Sequence, residues 1–259
     1  MTTHPNVELK HFSVARDFAP TGVGTYILRA RKYGKFLLQA PMDYPPDWML
    51  YDVRKHQDIP PKYYAVLAAY FVKYLEEYRK RGIEIDYLSV FNEPEQVYTK
   101  ITYPEIRILL RDFVGPALRR SGLSTKMMIS EAPERLVAFR RYPVILDDPA
   151  VREFVSAVAY HGYDFAHFDQ IAELKAKYPD LQFWMDELCY AYEAGYPKQS
   201  SCRSGNSPTA TGGATLFSVI WRRARPRGST GTPSSTKPAA RGRYRRFMAI
   251  PTRTSSIRS

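Results

Sequence analysis

The sequence predicts an α/β fold, a partial (β/α)8 TIM barrel, on three observations. Short apolar strands alternate with amphipathic helices, strand ends recur at barrel spacing, and polar or aromatic residues gather where strands end. Residues 11–16 and 36–41 are apolar runs suited to buried strands, with a helix predicted between them over residues 25–33. Pro60-Pro61 opens a segment in which Tyr64, Leu67, Ala68, Phe71, Leu75 and Tyr78 share one helical face, and Gly82 follows as a stop. A strand over 85–91, a helix over 103–120 ending at Gly122 and a strand over 125–130 come next. Strands over 157–163 and 182–187, with a helix over about 168–178 between them, complete the pattern. Strand ends near Asn92, Ser130, His161 and Glu187 are 38, 31 and 26 residues apart. Eight units in about 250 residues average about 31 each, so the spacing fits a barrel. No G-x-G-x-x-G follows a strand, and Gly22-Val-Gly24 reads as a loop, which removes the main support for a dinucleotide fold.

The composition of the 259 residues, 44% hydrophobic and 25% charged with mean hydropathy −0.40, is that of a globular protein and excludes a collagen-like fibre. No apolar run approaches the roughly eighteen residues of a membrane span, and the start, Met1 to Pro5, lacks the regions of a signal peptide. Cys189 and Cys202 make no disulfide framework, and no Cys or His stands at zinc-ligand spacing around them, so neither a metal nor a cofactor is expected. Localisation is left open.

The formal charge of +12 belongs entirely to residues 199–259, which carry eleven Arg, one Lys and no acid. The 26 basic residues before them balance 26 acidic ones. This tail of Ser, Thr, Gly, Pro and Arg reads as disordered, with only residues 214–221 fit to form an ordered element. An arginine-rich arm for nucleic acid is one reading, but aromatic interleaving is limited to Tyr244 and Phe247, and no specific nucleic-acid partner is expected. The organisation is therefore an incomplete barrel over 1–198 and a basic tail over 199–259.

In a barrel, chemistry sits at the C-terminal ends of the strands. There the sequence places Asp43, Tyr44 and Trp48; Asn92, Glu93 and Glu95; Glu131; His161 and Tyr163; and Trp184, Asp186 and Glu187. Glu93 and Glu187 each end an apolar strand, and two carboxylates flanking a sugar bond are the minimum equipment for glycoside hydrolysis. Strand-end acids also serve as helix caps and loop anchors. Trp48 and Trp184 suit either the core or stacking on a sugar ring, and His161 either packing or a ligand contact. Glu95 and Glu131 read as solvated or salt-bridged loop acids. Strict alternation turns Asp186 away from the side of Glu187, which makes it structural.

Residues 64–95, ending Val90-Phe-Asn-Glu-Pro-Glu95, closely resemble the third helix and fourth strand of glycoside hydrolase family 30, which belongs to the clan of TIM barrels that includes glucosylceramidases. The resemblance extends to Pro45-Pro-Asp-Trp-Met49, Ala159-Tyr-His-Gly-Tyr163 and Trp184-Met-Asp-Glu-Leu-Cys189, and covers residues 11 to about 197. It implies a retaining hydrolase of a β-linked glycan or glycoside, with Glu93 as general acid/base and Glu187 as nucleophile. By the same resemblance Asn92 contacts the sugar 2-hydroxyl, Tyr163 holds the nucleophile, and His161, Trp48, Trp184 and Tyr44 line the substrate site. Such an acid needs a raised pKa, expected from burial and from the charge of Glu187. The family implies a carbohydrate partner and members that are often secreted.

Three departures accompany the resemblance. Ala40-Pro-Met-Asp-Tyr-Pro-Pro46 replaces a Ser-Pro-Trp-Ser-Pro-Pro run, exchanging a sugar-platform tryptophan near Met42 or Asp43. The family's first strand is missing upstream of His11, and its eighth is not visible in the tail. Back-translation of residues 229–259 with suitable codons, read in a shifted frame, begins His-Trp-Asn-Pro-Ile-Leu-Asp-Glu and resembles that eighth strand and its loop. An out-of-frame tail is the expectation, and an inactive remnant with weak sugar binding is the alternative to an active enzyme.

Overall fold

The computed structural model describes residues 7–50, 58–95, 99–164 and 166–188, and the backbone of Ser218–Ile220. Five parallel strands form the sheet: β1 (Leu37–Pro41), β2 (Tyr87–Ser89), β3 (Lys126–Ala132), β4 (Val155–His161) and β5 (Gln182–Glu187). They lie side by side in chain order, each beside the one before it. A single direction of winding curls a sheet into a barrel wall rather than an open doubly wound sheet, and here it makes a half-barrel. A short β6 (Ser218–Ile220) runs antiparallel along the other edge of β1. It falls within residues 214–221, where the sequence allows an ordered element; the other residues of 199–259 lie outside the described residues.

Helices cover the outer face. α1 (Val23–Ala30) continues as a 3-10 turn through Tyr33, ending where the sequence predicts. α2 (Tyr64–Lys80) buries Tyr64, Leu67, Ala68, Phe71, Tyr74, Leu75 and Tyr78 against the sheet. Leu67, Phe71 and Leu75 contribute about 1.5–3 kcal/mol each. Gly82, at φ +78°, supplies the left-handed residue that ends the run. Thr102 and Glu105 form a capping box that starts α3 (Tyr103–Leu109). The helix widens into a π turn over Leu110–Val114 and resumes as α4 (Gly115–Ser121). Pro116 lacks the N–H of a regular turn, and the wider turn accommodates it.

The structure departs from the expected elements at two places. Residues 11–16 form no strand; Ala15–Phe18 is a 3-10 turn, and Phe12 packs edge-on against Tyr70 of α2, 5.0 Å between centroids. Between β3 and β4 lie α5 (Arg135–Leu146) and α6 (Pro149–Arg152), which the apolar pattern does not announce because Pro143 sits inside α5. The last helix, α7 (Phe168–Lys177), precedes β5 as expected.

Alternation along the strands divides the interior from the outer layer. Leu38, Ala40, Leu88, Ile129 and Val158 pack outward against the helices, whereas Leu37, Tyr87, Met128, Ala157, Ala159 and Trp184 form a separate apolar cluster on the inner face. Two register shifts break the alternation. Met128 pairs with Ala157 but Glu131 with Ala159, so β3 carries one extra residue. Tyr160 pairs with Met185 but His161 with Glu187, so Asp186 is the extra residue of β5. Such bulges re-aim side chains, and here they turn acids inward near the C-terminal end of the sheet.

Candidate active site

The segment after β2 carries Asn92 and Glu93 and is tied on both sides. Asn92 donates its backbone N–H to Met42 (3.0 Å), Glu93 donates to the Glu131 carbonyl (2.9 Å), and Glu131 donates back to Phe91 (3.0 Å). Glu93 has φ +45° and Glu95 φ +65°. A left-handed non-glycine residue costs about 1–3 kcal/mol and persists only where neighbouring bonds over-determine it.

Glu93 points to His161 at the end of β4, with Oε1 2.8 Å from Nδ1 of the imidazole. On the other side of the same ring, Nε2 lies 3.7 Å from an oxygen of Glu187 and 3.7 Å from one of Glu131. One imidazole thus stands between Glu93 and Glu187. The His161 ring is fully buried, while the Glu93 and Glu187 side chains keep 19% and 17% of their surface, enough to meet a ligand from the open side. Tyr163, just beyond β4, donates its hydroxyl to Glu187 Oε1 and stands edge-on to His161 at 5.6 Å.

The loop holding Tyr163 is pinned by a buried ion pair. Arg135 at the start of α5 lies 2.6 Å from Asp164 and donates to the Gly162 carbonyl (3.2 Å), while Asp164 accepts from the Leu136 N–H (3.2 Å). The cation also lies 4.3 Å from the Phe168 ring.

Beneath the ring lies a polar layer that the sequence reading assigned differently. Glu131 is buried in the barrel interior rather than solvated, and Asp186 points inward beside it rather than away from Glu187. The reasons are that β3 runs on to Ala132 and that β5 carries a bulge at Asp186. Gln39 of β1 donates through Nε2 to both carboxylates, to Asp186 at 2.6 Å and to Glu131. Asp43, just past β1, is also buried and hydrogen-bonded to Asn92. Burial first, against the opposing bond to Asn92, and then the charges of Glu131, Glu187 and Glu93 push its carboxyl up to about 7. A polar Gln within an otherwise apolar strand was the one signal that could have drawn attention to Gln39.

The expected aromatic residues separate from this group. Trp184 lies in the apolar layer below the acids, 4.5 Å from the Tyr87 ring, where it packs the interior instead of lining the mouth. Two residues before Asp186, it shares the inner face one layer lower. Trp48 packs edge-on against Tyr63 (5.9 Å) beside the outer core. Tyr44 borders a crevice with Met42, Tyr70 and Tyr74 between β1 and α2. Glu95 pairs with Arg141 at 3.0 Å, as a salt-bridged loop acid should.

Glu131, His161 and Asp186 each place a ligand-type atom within 4.8 Å of the others. An amide donor, Gln39 Nε2, bonds to one oxygen of each of these two acids.

Carboxylates converging at the C-terminal ends of parallel strands are found here in a chain whose residues 5–212 match the glycosyl hydrolase family 30 TIM-barrel domain. The chain belongs to glycosyl hydrolase family 30. It is 32% identical over 146 residues to an endo-1,6-β-D-glucanase of Neurospora crassa, covering 52% of this chain and 29% of that protein. It is 30% identical over 140 residues to the lysosomal acid glucosylceramidase of Mus musculus, covering 47% of this chain and 26% of that one. It therefore spans less than a third of these relatives. The fold resembles that of a solved endo-β-1,6-glucanase, with TM-score 0.61 and 20% identity over 72% of this chain and 44% of the other. It also resembles SrfJ from Salmonella typhimurium, with TM-score 0.60 and 24% identity over 69% and 41%. Residues 5–212 are thus part of a family 30 TIM-barrel domain, and among the described residues no helix is long and apolar enough to cross a membrane.

Proposed function

We propose that the chain carries the two catalytic glutamates of a retaining β-glycosidase, Glu93 as general acid/base and Glu187 as nucleophile, acting on a β-linked glucan or glucoside. The observation that carries this reading is the placement of both part-exposed carboxylates against one buried imidazole at the C-terminal end of the sheet. In the double displacement Glu187 attacks the anomeric carbon while Glu93 protonates the leaving oxygen. Glu93 then takes a proton from water as the glycosyl ester is hydrolysed. The Tyr163 hydroxyl, donated to Glu187 Oε1, holds the nucleophile in place. Asn92, bound to Asp43, is poised to reach a sugar 2-hydroxyl. The β-linked glucosyl substrate rests on the names of the relatives, an endo-1,6-β-D-glucanase and a glucosylceramidase.

Aryl β-glucoside hydrolysis by a frame-corrected, full-length protein tests the roles. Glu187→Ala should abolish turnover and yield a glycosyl azide of inverted configuration when azide is added. Glu93→Ala should retain activity on substrates with good leaving groups. Parental rates in both variants contradict the assignment.

The reading of residues 199–259 as out-of-frame rests on their charge and lack of acids. The gene sequence across codons 190–259 decides it: a single-base change that restores the shifted reading supports it, and an uninterrupted frame in an active enzyme overturns it. In the second case the inactive remnant falls as well.

A further inference from the structure

His161 is fully buried, and both of its ring nitrogens face carboxylate oxygens. Nδ1 lies at hydrogen-bond distance, 2.8 Å, from Glu93 Oε1. Nε2 has no hydrogen-bond partner and looks into a space bounded by Glu131 Oε2 at 3.7 Å, Glu187 Oε2 at 3.7 Å and Asp186 Oδ1 at 3.9 Å. A neutral imidazole holds one N–H and one lone pair. A lone pair on Nε2 would confront three carboxyl groups, and one on Nδ1 would confront Glu93. A ring protonated on both nitrogens removes either repulsion and sets a positive charge among four carboxyls.

We propose that His161 is an imidazolium at neutral pH, held by Glu131 and Asp186, which Gln39 clamps together, and that it is a positioning residue between Glu93 and Glu187. Its Nδ1–H fixes Oε1 of the Glu93 carboxyl, which leaves Oε2 to carry the proton of the acid form, and its Nε2–H faces Glu187 across the polar layer. Glu131 and Asp186 act through the ring and touch no substrate.

The electrostatics agree with the geometry. Burial works against charge on the ring, but the approach of Glu131, the bond to Glu93 and the electrostatic pull of Asp186 and Glu131 raise it to about 10. Asp186 is itself raised well above the usual carboxylate range, by burial first and by the Glu131 charge next, while the charge of His161 and the bond from Gln39 oppose the rise. The groups around the ring come from every neighbouring strand: Glu93 after β2, Glu131 from β3, Tyr163 after β4, and Asp186 and Glu187 from β5. Asp43 after β1 interacts with Glu131, Glu187 and Glu93. The effect on catalysis rests on the roles proposed for Glu93 and Glu187; the ring's charge does not.

The full chain, labelled with 15N in its histidine rings, is titrated by NMR without substrate, and the His161 signals are assigned by their loss in His161→Gln. At about pH 8 an ordinary histidine, with pKa about 6.5, is neutral. Both His161 nitrogens should still carry protons there, with a midpoint at least ten-fold lower in proton concentration than those of the other four histidines. Glu131→Gln, close in shape, should move the midpoint back by ten-fold or more. A ring with one bare nitrogen at about pH 8 overturns the proposal, as does a shift of Nε2 on adding Zn2+. Should Glu131→Gln not fold, the parent titration alone decides. A cationic His161 in a protein without glucosidase activity would remove only its catalytic consequence, and a neutral His161 in an active enzyme would remove only the charge.

Discussion

Asp43→Asn should stabilise the protein more at alkaline pH than at acid pH. Asp43 is 4% exposed and its carboxyl is raised from 3.8 to about 7, by burial first and, against the opposing Asn92 bond, by the charges of Glu131, Glu187 and Glu93. A carboxyl with a raised folded-state pKa binds its proton more tightly folded than unfolded. Its contribution to stability is full below about pH 4 and is lost as pH rises toward 7. The interval between 3.8 and about 7 corresponds to a loss of up to about 4 kcal/mol at about 1.4 kcal/mol per unit. The substituted amide still accepts from Asn92 and never ionises. The assay is urea unfolding followed by tryptophan fluorescence at about pH 4 and pH 8, with the difference between variant and parent taken at each pH so that other titrating groups cancel. The variant's advantage should grow by up to about 4 kcal/mol between the two. An advantage that does not change with pH, or a variant less stable at pH 8, would refute the reasoning.

Other substitutions probe what holds the site in place. Tyr142→Phe removes a buried hydroxyl that accepts from the Ala132 N–H at 2.9 Å and shares its one proton between the Ser130 and Ala159 carbonyls, so urea unfolding should show a loss of about 1–3 kcal/mol. Arg135→Met leaves Asp164 buried without its cation and should cost about 3–5 kcal/mol in urea unfolding. Thr102→Ala breaks the capping box of α3 and should cost about 1 kcal/mol, with no effect on substrate affinity.

The parallel order of the sheet was legible because strand and helix periods differ, and α2, with seven buried side chains on one face, shows why. Glu93, Glu187, His161 and Tyr163 were legible because all four stand at strand ends in motifs that resemble one family, and the structure gathers them. Glu131 was read as a loop acid because the strand was expected to end at Ser130, whereas β3 runs on to Ala132. Asp186 was misassigned because a bulge carries no signature in residue type, and the extra residue of β5 breaks the alternation from which its direction was read. Trp184 was misplaced for a related reason, since a tryptophan near a strand end reads alike whether it tops the inner face or lies one layer down against Tyr87. Helix α5 stayed hidden because Pro143 interrupts its pattern, although the Glu134 carbonyl still accepts from Ala138.

The most direct test of the central claim is covalent trapping. A frame-corrected, full-length protein is incubated with a 2-deoxy-2-fluoro-β-glucoside bearing a good leaving group, digested, and mapped by mass spectrometry. Such a sugar forms the glycosyl ester and hydrolyses slowly from it, so the label marks the nucleophile. The predicted result is one adduct, on Glu187. An adduct on Glu93, Glu131 or Asp186, or no adduct on a protein that hydrolyses the parent glucoside, would contradict it.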